Sequence, residues 1–244
     1  MKKTGNTILI TGGATGIGLA IAKAFMKNGN EVIICGRRRE KLKIAKSRFP
    51  DLHIKVCDIT KKRSRLILVE WATKRFKSLN VLVNNAGIQR SADFTRGPKD
   101  LFMAEAEIAV NLTAPIQLSD LMIPHLRRQK QSAIINISSG LAFTPLADVP
   151  VYSATKAAVH SLSLSMRHQL RNTPIRVFEI APPMVTTALS GQRPRPEEAE
   201  LYMSAEEVAQ GILNAIERDT YEVALGAAVH LHRKRDALFA AINH

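Results

Sequence analysis

The chain has 244 residues, a length at which an α/β protein can still fold as one domain. Its 35 Lys and Arg residues outnumber its 21 Asp and Glu residues, which gives a formal net charge of +14. These basic residues lie in short, dispersed clusters without interleaved aromatic residues, which argues against a nucleic-acid-binding surface. No segment approaches the roughly eighteen apolar residues of a membrane span, and the first apolar run is too short for a signal peptide. We therefore expect a cytoplasmic protein.

Short apolar runs alternate with longer segments of helical spacing along the chain. The predicted strands are 7–10, 31–35, 53–57, 81–83, 133–137, 176–180 and 221–224. The predicted helices are 19–27, 40–48, 62–77, 101–130, 152–172 and a last one that opens at Ser204, with Glu207 completing a capping box. This alternation predicts a single-domain Rossmann-type α/β fold over 1–244, a doubly wound parallel sheet of about seven strands. Segment 191–196 is the one irregular stretch.

A glycine-rich turn, 11–18, follows the first predicted strand and opens the first predicted helix. Gly12, Gly16 and Gly18 allow the backbone to turn tightly beside Thr15 and Ile17. The start of a helix offers free N–H groups and the positive end of its dipole, so this turn predicts a site for a dinucleotide pyrophosphate. The alternative is an ordinary tight turn.

The end of the second predicted strand carries Arg37, Arg38 and Arg39. NAD-selective proteins place a carboxylate at this point to bind the ribose hydroxyls, and this chain has none there. A guanidinium pairs well with phosphate, which favours NADP(H) over NAD(H). Arg37 is the first candidate for the 2′-phosphate ligand and Arg38 the second. The alternative is that these arginines only start the next helix in solvent.

Further motifs follow the glycine turn in a fixed order: Asn84-Asn85-Ala86-Gly87, Asn111, Ser138-Ser139 and Tyr152 to Lys156. Over nearly its whole length the chain thereby resembles the short-chain dehydrogenase/reductase family, with closer similarity to the bacterial DltE-type oxidoreductases. The resemblance implies an NADP(H)-dependent oxidoreductase that transfers a hydride between the nicotinamide and a carbonyl or alcohol carbon by a Ser-Tyr-Lys mechanism.

The resemblance implies a role for each of four catalytic residues. Tyr152 would be the general acid/base, and Lys156 would bind the nicotinamide ribose and lower the tyrosine pKa. Ser139 would orient the substrate carbonyl, and Asn111 would hold a water in a proton relay. Tyr152 and Lys156 lie four residues apart, on one face of a helix, although such a pair also occurs by chance.

Cofactor contacts are implied at the nucleotide and nicotinamide ends. The adenine would be held by Asp58 and Ile59. The ribose would be lined by Asn85, Ala86 and Gly87. The nicotinamide carboxamide would be contacted by Pro182, Val185 and Thr187. The full predicted set is Gly12, Thr15, Gly16, Ile17, Gly18, Arg37, Arg38, Asp58, Ile59, Asn85, Ala86, Gly87, Tyr152, Lys156, Pro182, Val185 and Thr187. The chain departs from the family at Pro183, where glycine is usual, which puts the path of this loop and the place of Thr187 in question.

Histidine spacing predicts no metal site, because no Cys or carboxylate lies at ligand spacing from His125, His160 or His168. His230 and His232 alternate as in an extended segment. Apolar residues expected to wall the substrate pocket are Leu141, Ala142, Phe143, Leu146, Val149, Met184 and Leu189. We expect a small-molecule carbonyl or alcohol substrate and a homodimer or homotetramer, with no nucleic acid and no membrane contact. The alternative functions are an NADP(H)-sensing regulator with little turnover and a charge-driven surface binder.

Overall fold

A parallel sheet runs through the middle of the molecule. The computed structural model describes residues 1–97, 104–187, 189 and 202–243. The sheet strands are β1 (Thr7–Thr11), β2 (Glu31–Gly36), β3 (His53–Val56), β4 (Leu79–Asn84), β5 (Ser132–Ile137), β6 (Ile175–Ala181) and β9 (Glu222–Ala224). They lie in the order β3-β2-β1-β4-β5-β6-β9, and every described pair is parallel. β7 (Met184–Val185) and β8 (Tyr202–Met203) form a separate small ribbon.

Helices connect and cover these strands. They are α1 (Gly16–Lys27), α2 (Arg39–Arg48), α3 (Lys62–Arg75), α4 (Ala104–Ile108), α5 (Ala114–Leu126), α6 (Pro150–Gln169), α7 (Ala205–Glu217), α8 (Ala228–Lys234) and α9 (Phe239–Ile242). A π-helical turn, Ala109–Thr113, joins α4 to α5. Single 3₁₀ turns occupy Phe94–Arg96, Gly140–Ala142 and Arg235–Leu238.

Both faces of the sheet are buried in apolar clusters. Along β1, Ile8 and Ile10 belong to the cluster under α1 and α7, whereas Leu9 belongs to the cluster under α3 and α5. Successive strand side chains point to opposite faces, so a sheet covered on both sides requires uninterrupted apolar strands. The predicted doubly wound parallel sheet is thereby confirmed. Cys35 and Cys57 are buried free thiols in the second cluster, where burial raises the pKa of Cys57 to about 11.

The direction in which successive strands are added to the sheet reverses between β1 and β4. β1 pairs with β2 on one side and with β4 on the other, so the connections leaving these two strands run to opposite halves of the sheet. In open α/β sheets, ligands bind beyond the carboxyl ends of the strands at such a switch point. This end of the sheet is therefore where the predicted site residues should gather.

Several local predictions are settled by the structure. The capping box is confirmed, since the Glu207 N–H donates to Ser204 Oγ at 3.1 Å and the Ser204 N–H donates to Glu207 Oε2 at 2.8 Å. The extended segment expected at His230 and His232 is wrong, because both lie in α8. Residues 101–103 of the predicted fourth helix and segment 191–196 lie outside the described residues. Within the described part of the chain, no helix is both long and apolar enough to span a bilayer.

Candidate functional site

The glycine turn is tied to the end of β4 by Thr11 and Asn85. The Thr11 hydroxyl oxygen accepts hydrogen bonds from the backbone N–H groups of Asn85 and Ala86, each at 3.0 Å. In return, the Asn85 amide nitrogen donates to the Thr11 carbonyl at 2.8 Å. These hydrogen bonds join two parts of the predicted nucleotide site: the glycine turn, expected to receive the pyrophosphate, and segment 85–87, expected to line the ribose. Thr11 is a site-building residue absent from the predicted set.

Glycine is required in this turn for two different reasons. Gly12 and Gly16 have φ angles of +67° and +54°, which favour glycine. Gly13 and Gly18 instead lack room for a side chain. A Cβ atom at Gly13 would lie 2.4 Å from Ile34 Cγ2, and one at Gly18 would lie 2.5 Å from the Gly12 carbonyl oxygen. Gly13 therefore belongs with the predicted glycines, although its contribution is close packing on β2.

The amino terminus of α1 is open toward solvent at the turn. The side chain of the N-cap residue Thr15 makes no capping hydrogen bond, and the first turn of α1 carries no acidic residue. Gly16 is exposed and Ile17 is partly buried against the core. The N–H groups of a first helical turn have no partner within the helix, so this end of α1 suits an anion.

Arg37 and Arg38 are exposed beside this helix end, beyond the carboxyl end of β2. The Arg38 guanidinium donates to Thr15 Oγ1 at 3.1 Å. Partial burial raises the pKa of Asp58, but two hydrogen bonds from Thr60 and the charges of Arg37 and Lys61 outweigh it and hold that pKa below its usual range. The predicted adenosine residues, including the buried Ile59, are therefore brought together at one edge of the site.

The four predicted catalytic residues come from three elements. Asn111 lies on the π-helical turn, Ser139 follows β5, and Tyr152 and Lys156 lie on α6. Each side chain is at most 7% exposed. A Cβ atom at Gly87 would lie 3.5 Å from Asn111 Oδ1 and 3.8 Å from Lys156 Nζ, so this glycine leaves the space between the amide and the ammonium open.

Asn111 is held by two neighbouring segments. Its Oδ1 accepts from the Ile88 N–H at 2.9 Å, and its Nδ2 donates to the Ile88 carbonyl at 2.8 Å. Nδ2 also donates to Thr155 Oγ1 at 3.2 Å. The amide therefore joins the segment after β4 to helix α6. Thr155 is a further positioning residue that the sequence motifs did not identify.

Burial dominates the protonation of the tyrosine and the lysine. It raises the pKa of Tyr152 to about 12, against a lowering by the Ser139 hydrogen bond, and Glu107 raises that pKa further. Burial lowers the pKa of Lys156 to about 8, and Glu179 opposes this. The ammonium also donates to the Ile137 carbonyl at 2.8 Å. Burial therefore shifts both groups toward their neutral forms, although a lysine with a pKa of about 8 stays mostly protonated at neutral pH. Further positive charge in the site would lower the pKa of Tyr152.

Glu107 is a buried carboxyl group beside this cluster that sequence reasoning missed. It is 2% exposed, and its Oε1 accepts from the Arg90 N–H at 3.1 Å. Burial raises the pKa of Glu107 above its usual range. Its position four residues before Asn111, on the same helical face, is the signal that could have identified it.

The loop after β6 returns to the glycine turn despite Pro183. The Gly140 N–H donates to the Pro182 carbonyl at 2.9 Å, which joins this loop to the Ser139 turn. Val185 belongs to β7 and packs on the core. A Cβ atom at Gly16 would lie 3.3 Å from Thr187 Cγ2. Pro182, Val185 and Thr187 are thus on the side of the site where they were expected. Leu189 is 39% exposed.

Two histidines have carboxylate partners that their sequence spacing does not show. His160 Nδ1 lies 2.8 Å from Glu179 Oε2, and His232 Nε2 lies 3.0 Å from Glu222 Oε1. Phe143, expected to wall the substrate pocket, packs edge-on against both imidazole rings instead. The pairing of β6 with β9, which only the folded sheet establishes, brings the two histidine–carboxylate pairs side by side.

Comparison with known proteins agrees with this architecture. A family model described as short chain dehydrogenase matches residues 6–198. The uncharacterized oxidoreductase DltE of Bacillus subtilis is 50% identical over 225 residues, covering 91% of this chain and 89% of that protein. An uncharacterized oxidoreductase of Staphylococcus saprophyticus is 34% identical over 188 residues, covering 75% of this chain and 80% of that protein.

Two solved structures have a similar fold. A short chain dehydrogenase from Burkholderia cenocepacia, crystallised in complex with NADP, matches with a TM-score of 0.85 and 28% identity, covering 99% of each chain. A short-chain dehydrogenase from Streptomyces avermitilis matches with a TM-score of 0.82 and 26% identity, covering 93% of this chain and 90% of that one.

Proposed function

This chain belongs to the short-chain dehydrogenase family of NAD(P)-dependent oxidoreductases, and we propose that it interconverts a carbonyl and an alcohol with NADP(H). One observation carries the proposal: Asn111, Ser139, Tyr152 and Lys156 lie together beside a glycine turn whose helix end is open. An NADP(H)-sensing regulator would bind nucleotide but would not need this set of proton-handling groups. The whole of 1–244 is proposed to act as one domain.

The glycine turn and the two arginines fit a phosphorylated dinucleotide. The unpartnered N–H groups at the start of α1 would receive the pyrophosphate. Arg37 and Arg38 are exposed at the end of β2, where a guanidinium can pair with a 2′-phosphate. The Arg38 contact with Thr15 places its guanidinium beside the turn. The NADP complex of the Burkholderia protein supports the same cofactor choice.

In the proposed reaction, each polar group of the site either transfers a proton or positions the substrate, the phenolate or a water. When bound, NADP(H) supplies or accepts the hydride. In the direction of reduction, the Tyr152 hydroxyl gives its proton to the substrate oxygen while the Ser139 hydroxyl donates a hydrogen bond to the same oxygen. Lys156 stabilises the phenolate that this leaves. Asn111, clamped by Ile88 and Thr155, would hold the water that returns a proton.

A homodimer or homotetramer is proposed for the assembly. Ile116 on α5 and Leu164 on α6 are 41% and 44% exposed, so apolar surface remains on the outer faces of these helices. A second copy of the chain would bury it. The proposed substrate is a small carbonyl compound or alcohol.

Turnover by a matched pair of tyrosine variants tests the proposal. NADPH and NADH binding would be measured by fluorescence titration, followed by NADPH oxidation with a panel of ketones and aldehydes. Tyr152→Phe should bind NADPH as the wild type does but lose at least about 100-fold in kcat. Tyr221→Phe, a half-buried tyrosine packed on Phe178, should keep its activity. A Tyr152→Phe protein with wild-type turnover would contradict the mechanism, and NADPH binding without turnover by the wild type would favour the sensor.

A further inference from the structure

A cluster of imidazole and carboxylate groups lies behind the catalytic helix. His160, on α6 one turn beyond Lys156, Glu179, on β6, and Glu222, on β9, each bring one ligand atom to within 4.8 Å of the others. The closest approach is the 2.8 Å contact between His160 Nδ1 and Glu179 Oε2. The proposed hydride transfer assigns no step to these side chains, although the Glu179 carboxylate acts electrostatically on Lys156.

The two carboxylates are held side by side by the sheet. Glu179 and Glu222 are register partners on parallel strands, so their side chains leave the same face of the sheet. Glu179 is fully buried, and its Oε1 has no hydrogen-bond partner among the described residues. Burying one carboxylate beside another is costly unless positive charge compensates.

The protein's own cations compensate only part of this charge. Arg167 Nη1 lies 3.7 Å from Glu222 Oε2, but the Arg167 guanidinium also donates hydrogen bonds to the backbone carbonyls of Val177 and Tyr221. Lys156 interacts electrostatically with Glu179 from the catalytic side, while its ammonium donates to Ile137. Neither cation lies within hydrogen-bond distance of Glu179 Oε1.

We propose that His160, Glu179 and Glu222 bind a divalent transition-metal ion such as Zn²⁺. One imidazole and two carboxylates are ligands that Zn²⁺ accepts, and three protein ligands leave one position of a tetrahedral site for water. Metal–ligand distances of about 2.0–2.2 Å place neighbouring ligand atoms of a tetrahedral site roughly 3.4 Å apart. The 2.8 Å pair must therefore open, and ligand atoms as far apart as 4.8 Å must close, when an ion binds.

The surroundings of the cluster resemble the outer shell of a metal site. His232 contacts Glu222 at 3.0 Å, as outer-shell groups do when they orient a ligating carboxylate. Phe143 packs edge-on against His160 and His232, with ring centres 4.9 Å and 4.4 Å apart, and so fixes both rings. A bound ion would link β6, β9 and α6 and, through His232, α8, behind the loop that follows Ser139.

Metal binding can be tested on the full chain without cofactor or substrate. Protein dialysed against EDTA and then freed of chelator would be titrated with Zn²⁺ by calorimetry in the presence of excess Mg²⁺, and its Tm recorded with and without Zn²⁺. We expect one Zn²⁺ per chain and a Tm that rises on binding. His160→Ala and Glu222→Gln should weaken binding by more than about 100-fold, and His232→Ala by about 10–100-fold.

Two histidines outside the cluster provide matched controls. His53 forms a similar pair with Glu31 at 3.2 Å but belongs to no three-ligand group among the described residues. His168 is exposed two turns further along α6. His53→Ala and His168→Ala should bind Zn²⁺ as the wild type does. If His160→Ala does not fold, Glu222→Gln provides the test of Zn²⁺ binding. Glu222 is partly exposed and the change preserves the shape of the side chain, so this variant should fold.

The proposal fails if the wild type binds no Zn²⁺, or if Glu222→Gln binds it with unchanged affinity. It also fails if a control variant loses binding, since Zn²⁺ would then occupy a surface histidine. None of these results depends on hydride transfer, so a failure to bind Zn²⁺ would leave the proposed oxidoreductase function intact. If the proposed function fails instead, the Zn²⁺ titration still tests the metal site by itself.

Discussion

The ammonium nitrogen of Lys156 lies 5.5 Å from the centre of the Tyr152 ring, with both side chains buried. At this separation the two groups share one low-dielectric site, and burial raises the pKa of the phenol while lowering that of the amine. The folded chain thus disfavours the ionised forms that proton transfer would use. The shifted pKa values of Tyr152 and Lys156 therefore lie at the proposed catalytic site, as is common for functional sites.

The cost of charging Lys156 should be visible in the pH dependence of stability. Its pKa falls from 10.5 to about 8 in the folded chain. Between pH 8 and 10 Lys156 therefore carries more protons in the unfolded state than in the folded state, so the contribution of Lys156 to the free energy of unfolding should rise with pH through this window. The whole shift corresponds to about 3 kcal/mol. Denaturant unfolding of the wild type and of Lys156→Met, across this range, measures the difference.

Lys156→Met should show no such rise, so the wild type should gain stability relative to the variant as the pH increases. Lys41→Met, at an exposed position, serves as the control and should follow the wild-type curve. Parallel curves for wild type and Lys156→Met would mean that the folded lysine titrates at its ordinary pKa.

Glu107 should influence the pH profile of turnover through Tyr152. The carboxylate raises the pKa of Tyr152, so Glu107→Gln, which removes the negative charge and keeps the shape, should lower it. The ionisation of Tyr152 in the profile of kcat/KM should then move to lower pH. Glu105→Gln removes an exposed charge from the same helix and should leave the profile unchanged. Coincident profiles for all three proteins would show that Glu107 does not act on the tyrosine.

Arg37 should distinguish NADPH from NADH. Arg37→Asp replaces a cation at the proposed 2′-phosphate site by an anion, which should weaken NADPH binding by at least about tenfold, because a charge-assisted hydrogen bond is worth roughly 1.5–3 kcal/mol. NADH, which lacks that phosphate, should bind with little change. Fluorescence titrations of both nucleotides measure this, with Arg39→Asp as the control for net charge. Equal losses for both nucleotides would remove Arg37 from the role and leave Arg38 to be tested in the same way.

Local patterns predicted the parts of this molecule that local interactions determine. The strands follow from apolar runs, and the start of α7 follows from the capping box of Ser204 and Glu207. The resemblance to the family, carried by the order of the motifs, implied that Asn111, Ser139, Tyr152 and Lys156 share one site. Only Ser139 stands at the end of a strand, the edge where ligands of parallel sheets bind. The groups that were missed depend on tertiary pairing, as when the register of β6 and β9 joins Glu179 to Glu222. Nothing in the sequence near His160 or His232 shows which carboxylate each will contact.

The glycine turn offers a final test, because its glycines differ in the reason they are needed. Gly13 has no room for a methyl group, since a Cβ atom there would lie 2.4 Å from Ile34 Cγ2 in the middle of the core. Gly13→Ala should therefore lower the free energy of unfolding by about 1–3 kcal/mol, the usual cost of overpacking. Gly36, at the end of β2, has nothing within 4 Å of the same position. Gly36→Ala should change stability by less than about 0.5 kcal/mol.

Chemical denaturation of the two variants in parallel measures both effects. If Gly13→Ala is as stable as Gly36→Ala, then β2 can shift to accept the methyl group. The turn would in that case be less tightly packed on Ile34 than the structure indicates. The positive φ angles of Gly12 and Gly16 and the close approach of Gly18 to the Gly12 carbonyl would then account for glycine in this segment.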